Sequence, residues 1–166
     1  MKRLFLIALF LGLTSIISFA QDKKAEKEAA AKAQFEKAAA AIEAKDFVII
    51  VDTYEMSTGT IETNTDVAKF ISYEQEFVFL QGMVVGANPH KLNVSDYKQV
   101  FDKKGNIRIE MQCKGSLVSA KVEIFMKKGG NYADVIISPT KGDASRFSGE
   151  VIPRAESKYF KRPGVI

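Results

Sequence analysis

Between Ile107 and Ile137 the chain reads as three strands of two-residue period joined by tight turns, and this stretch constrains the fold most. Ile107, Ile109, Met111 and Cys113 alternate with Arg108, Glu110, Gln112 and Lys114. Gly115-Ser116 is short enough for a hairpin. Val118, Ala120, Val122, Ile124 and Met126 then alternate with mostly polar neighbours, and Lys127-Lys128-Gly129-Gly130 turns the chain again. Ala133, Val135 and Ile137 repeat the pattern up to Pro139. A period of two places every apolar group on one face of a sheet, and hairpin connections make neighbouring strands antiparallel.

The rest of the chain from Asp46 carries the same signal less cleanly. Phe47 to Tyr54 predicts a first strand. A second passes through Thr60 to Thr63 and resumes at Ala68 to Tyr73. Glu74-Gln75 is a tight connection into Glu76 to Val85, a nearly continuous apolar run that predicts a central strand. Gly86-Ala87-Asn88-Pro89 is expected to break the pattern as a loop, with a strand resuming over Val94 to Phe101. Phe147, Gly149 and Val151 form a last strand that stops at Pro153.

About eight short antiparallel strands with one apolar and one wet face must hide their edges, and closure into a small barrel does so most completely. The expected fold is therefore mainly β, an antiparallel β-barrel over residues 46–153. An open sheet packed by a helix is the structural alternative. A length of 166 residues with 46% apolar content suits one packed domain and excludes whole-chain disorder.

Two segments precede the barrel. Lys2 and Arg3, an almost unbroken apolar run from Leu4 to Ile17, and the small residues Ser18 and Ala20 predict a signal peptide over 1–20, cut before Gln21. The run of 14 residues is shorter than the roughly 20 of a spanning helix, so no transmembrane span is expected after cleavage. The product would be periplasmic or secreted. Residues 21–45 are Ala-, Lys- and Glu-rich without Gly or Pro and predict a helix, with Glu28 and Lys32 as an i, i+4 pair. Its thin stripe of Ala31, Phe35, Ala38 and Ile42 suggests a spacer or a loosely docked lead-in helix. Residues 154–166 remain as a C-terminal tail whose cluster Lys158-Tyr159-Phe160-Lys161-Arg162 reads as solvated.

Removing Lys2 and Arg3 leaves 22 basic against 20 acidic residues, a mature net charge of about +2. Positive charge is scattered among acids rather than gathered with aromatics, so no nucleic-acid partner is expected.

The stretch from Asp46 to Ile166 resembles a family of small exported proteins, common in Bacteroidetes, that is classed as a domain of unknown function. The resemblance rests on Asp46-Phe47-Val48 after a charged helix, on Asn64-Thr65 leading to Phe70-Ile71-Ser72, and on Asn131-Tyr132-Ala133 with Ser138-Pro139. It closes on Phe147-Ser148-Gly149-Glu150-Val151-Ile152-Pro153 and Glu156-Ser157. Such a resemblance implies a lipocalin-like β-barrel and brings no catalytic residues with it. The family often carries an Asn-Gly-containing run in its middle loop, where this chain has Gly86 to Lys91.

Candidate chemistry is sparse. His90, the sole imidazole, lies in the expected loop without an acid beside it to orient it, and reads as solvated. Cys113, the sole thiol, falls on the apolar phase of its strand and reads as buried and inert. The carboxylate pairs Asp52 with Glu55 and Glu74 with Glu76 come with no sign of the cleft that two-carboxyl chemistry needs, and Glu74 and Glu76 flank a turn where solvated acids are common. No catalytic constellation, metal set or cofactor motif is expected. Two functions of different class follow. One is a non-enzymatic binding module that takes a small apolar or amphipathic ligand inside the barrel, a reading that leans on the lipocalin-like resemblance. The other is a structural or interaction protein of the cell envelope, its barrel filled by its own side chains. Whether Ala120 and Ala133 leave space, or Phe77, Phe79 or Phe147 fills it, decides between them.

Overall fold

The computed structural model describes residues 2–55, 58–82 and 86–166, with side chains from residue 23 onward. The side chains of the expected signal segment therefore lie outside the described residues, as do Met83 to Val85 at the end of the expected central strand. Helix α1 (Lys2–Glu43) leads into nine strands: β1 (Asp46–Glu55), β2 (Ile61–Thr63), β3 (Phe70–Glu74), β4 (Phe77–Gly82), β5 (Gly86–Phe101), β6 (Ile107–Lys114), β7 (Ser119–Met126), β8 (Tyr132–Pro139) and β9 (Ser145–Pro153). A single 3₁₀ turn, Arg154–Glu156, opens the tail.

Every strand pairs antiparallel with the next around the sheet, and β1 pairs with β9 from Phe47↔Pro153 to Glu55↔Arg146, which closes a barrel of eight staves. The second stave is interrupted. β3 pairs with the first half of β1 and β2 with its last residues, as the split between Thr63 and Ala68 predicts. Asn64 bridges the gap, its Nδ2 donating to Val51 O at 2.6 Å while Val51 N donates to Lys69 O at 3.0 Å. These bonds satisfy backbone groups that the interruption would otherwise strand.

The expected loop at 86–89 is instead part of β5, which runs unbroken from Gly86 to Phe101. The pairing of β5 with β6 starts only at Asn93, so Pro89 lies on an edge segment, and the register with β4 slips between Leu80 and Gly82 opposite it. Proline is tolerated at edges and bulges because no ladder N–H is required of it there.

The inward phase of all eight staves forms one buried cluster, joined by Ala38, Ala41 and Ile42 of α1. The helix does not dock loosely. Ala38 and Ile42 are fully buried, with Phe35 packed beside them, where β1 begins and β9 ends. Along its exposed face Glu28 pairs with Lys24, not with Lys32, and Lys32 pairs with Glu36, each at 3.9 Å. Such exposed pairs contribute only a few tenths of a kcal/mol.

The tail is not solvated either. A second, outward cluster of Val48, Phe70 and Phe79 lies on β1, β3 and β4, and Tyr159 packs against it. This explains why those three strands are apolar on both phases, since both of their faces are covered.

Candidate functional site

The barrel interior is where a lipocalin-like ligand would sit. Side chains lining a hollow would keep accessible surface, yet Phe47, Ile109, Met111, Val122, Ile124, Met126 and Val135 are at most 1% exposed. Of the three phenylalanines that could fill the space, Phe147 points inward, whereas Phe77 and Phe79 belong to the outer cluster. Ala120 pairs with Cys113 and Ala133 with Met126, and both alanines are buried at 4% and 0%. Small residues beside larger neighbours fill the taper of a small barrel without leaving a hole. At the helix-bearing end Tyr73 and Tyr97 stack at 5.5 Å, with Lys45 Nζ 4.4 Å above the Tyr97 ring.

Cys113 lies in this interior as expected, and burial pushes its thiol up to about 12. His90 does not lie in a solvated loop. It is a β5 residue only 7% exposed, paired with Leu80 and on the same phase as Leu92, both of which are core residues. The continuous β5 strand, not a loop, sets that position.

The carboxylate pairs are dispersed onto separate partners. Asp52 accepts from the Tyr132 hydroxyl and from Thr53 Oγ1, and Glu55 lies 3.7 Å from Arg146. Glu74 is not a solvated acid. It accepts from Lys161 Nζ at 2.6 Å, Ser72 Oγ at 2.8 Å and Tyr159 Oη at 3.2 Å. Burial alone would push its carboxyl up, but these donors outweigh that and hold it below the usual range.

A cleft of about 450 Å³ lies outside the barrel wall, over β6 to β9 and the β1–β2 hairpin. The register Arg108↔Phe125↔Asp134↔Ser148 lays one row across it, and Ile136↔Arg146↔Glu55↔Ile61 lays the next. Phe125 and Ile136 form its floor, Arg108 leans on Phe125 with its guanidinium 5.4 Å from the ring, and Ile61 is 67% exposed at the rim. Arg108 makes no ion pair among the described residues, while Glu55 and Asp134 offset the charge of the two arginines. This surface was missed by sequence reasoning. Its signal was available, because Phe125 and Ile136 are apolar residues on the polar phase of otherwise regular strands.

No family model matches the chain, and a search of curated proteins returns no match. Among solved structures, a DUF4251 family protein from Bacteroides eggerthii superposes with a TM-score of 0.68 at 25% identity, covering 78% of this chain and 94% of that one. In sequence and in fold the chain is thus similar to a Bacteroidetes protein of a domain family without assigned function, its architecture the closed antiparallel barrel that the lipocalin-like resemblance implied.

Proposed function

We propose that the chain is an exported, non-enzymatic structural or interaction module of the cell envelope that acts through its outer surface and carries no cargo in its barrel. The observation that carries this reading is the interior. One continuous buried cluster spans all eight staves and takes in the last turns of α1, which supports a barrel packed by its own side chains over one that holds a ligand. The outer cleft, with its apolar floor and charged rim, has the composition of a small contact surface. Export rests on the basic start, apolar run and small-residue cut site of residues 1–20.

Titration of the delipidated protein with a neutral apolar fluorophore such as N-phenyl-1-naphthylamine tests the reading. No saturable uptake is expected. Stoichiometric uptake, abolished by Val122→Phe in a folded protein, would overturn it in favour of the ligand carrier. Intact mass of protein from the envelope fraction should place the N-terminus at Gln21.

A further inference from the structure

β5 is flanked by strands on both sides for only part of its length. β4 pairs with it as far as Asn93, and from Asp96 to Phe101 it pairs with β6 alone. Asp102 N donates to Asn106 O at 3.0 Å, which sets the hydrogen-bonding phase toward β6 on the even-numbered residues of this half-strand. The backbone N–H and C=O of Gln99 and Phe101 therefore point away from β6, toward an edge that no strand occupies among the described residues. Val100 and Phe101 on this edge are 43% and 49% exposed. An exposed apolar edge with free backbone groups is a template for a further strand.

We propose that this edge pairs antiparallel with the same edge of a second copy of the chain, about a two-fold axis at Val100. The charges select both the occupant and the register. With the axis there, Lys98 faces Asp102 of the second copy, Asp96 faces its Lys104, and Val100 faces its counterpart. Lys98, Val100 and Asp102 line one outer recess, so they share a face. Lys98 is still free to pair, because Glu110 opposite it on β6 is 3.5 Å from Lys121. The Asp102 carboxylate accepts only from the uncharged N–H groups of Lys104 and Asn106 among the described residues. Neighbouring registers oppose like charges. An axis at Lys98 sets that lysine against itself, one at Gln99 sets Asp96 against Asp102, and one at Phe101 sets Lys98 against Lys104. In the Val100 register, Gln99 of each copy exchanges both backbone bonds with Phe101 of the other. No bond within the monomer has to open. The paired segment is short, so the contact is smaller than a standard interface and the dimer forms only at high concentration. The inference concerns an edge of the barrel outside the cleft over β6 to β9, and it stands whether or not the barrel carries cargo.

Cysteine trapping at high protein concentration under a mild disulfide oxidant tests both the pairing and its register. Residues facing each other as a non-hydrogen-bonded pair have Cα atoms about 4.5 Å apart, within reach of a disulfide, so Val100→Cys should cross-link to its own copy. Gln99→Cys would lie roughly 8 Å from its counterpart and should not. Lys127→Cys, on an exposed turn, gives the rate of chance collision, while Cys113 stays buried in the core. Val100→Cys should form covalent dimer at least tenfold faster than either. Adding Phe101→Pro removes an edge N–H that β6 does not use, so it should return that rate to the collision value without loss of the cooperative urea transition. Equal rates at the three positions would overturn the proposal, and fastest trapping at Gln99→Cys would overturn its register. An undiminished rate in a folded Phe101→Pro chain would also overturn it, because the edge would then not be what the copies share.

Discussion

Asp46 and Glu74 stand directly opposite each other across β1 and β3, and each carboxylate is met by a cation from the end of the chain, Arg154 for Asp46 and Lys161 for Glu74. Two like charges at opposed positions would destabilise the pair of strands. The tail supplies the charge that removes this repulsion and, in the same segment, covers Val48, Phe70 and Phe79.

Lys161→Ala should therefore cost more than Glu74→Gln at pH 7, by about 1–2 kcal/mol, because it leaves a sheltered carboxylate facing another. The pH dependence has a definite sign. The folded-state carboxyl of Glu74 is held below the ordinary value of 4.5, so its contribution is fully present above that value and is lost as pH falls through the folded pKa. Urea unfolding of both variants at pH 7 and below pH 4 should show the gap closing in acid. An unchanged gap would show that the repulsion is not what Lys161 relieves.

Gly149 lies where β9 passes β1 most closely. A Cβ placed there would come within 1.9 Å of Ile50 O, a backbone atom with no way to yield. Gly149→Ala should destabilise by about 3 kcal/mol or more, through displacement of the closing strand pair. Gly130→Ala, which meets nothing within 4 Å, should change stability by no more than about 0.5 kcal/mol. Parallel denaturation curves of the two variants check the contrast.

α1 divides into a buried end and an exposed shaft. Ile42→Ala should cost about 2–4 kcal/mol, since the side chain is fully enclosed by the barrel cluster. Lys27→Ala, on the exposed shaft, should be silent within about 0.5 kcal/mol. Equal small effects from both would restore the loosely docked helix that the thin apolar stripe suggested.

The strands β6 to β8 were legible because each carries one mainly apolar and one mainly polar phase and is joined to the next by a turn of four or five residues. The interrupted stave was legible for a similar reason, its apolar runs flanking Asn64 to Val67. Pro89 misled because its effect depends on whether the neighbouring strand needs its N–H, and only the register places it on an edge beside a bulge. The docked tail left an unread trace, the double-sided apolarity of Phe47 to Val51 and Phe77 to Leu80. One-dimensional pattern shows that a second face must be covered and does not show by what. The outer cleft was obscured differently. Phe125 and Ile136 become neighbours only through the β7–β8 register, although each breaks its own strand's alternation.

The proposed filling of the interior makes a prediction that separates packing from cargo without any ligand. Ala120 is 4% exposed and pairs with Cys113 and Pro139 across its two neighbouring strands. In a hollow barrel Ala120→Phe would occupy empty space and leave stability unchanged or raised. In a filled one it must displace neighbours already in contact, which costs about 1–3 kcal/mol or more. Cys113 reports on the same packing. Burial pushes its thiol up to about 12, so at pH 8 only about one in ten thousand is thiolate, and a thiol reagent must wait for the barrel to open. Wild-type protein should leave Cys113 unlabelled by an aromatic disulfide reagent for hours at pH 8 and release one equivalent in urea. Ala120→Phe should speed labelling under native conditions in proportion to its loss of stability, because overpacking beside the thiol favours the open state. Rapid labelling of the wild type, or an Ala120→Phe variant as stable as the parent, would mean that water or a ligand already has access to the interior.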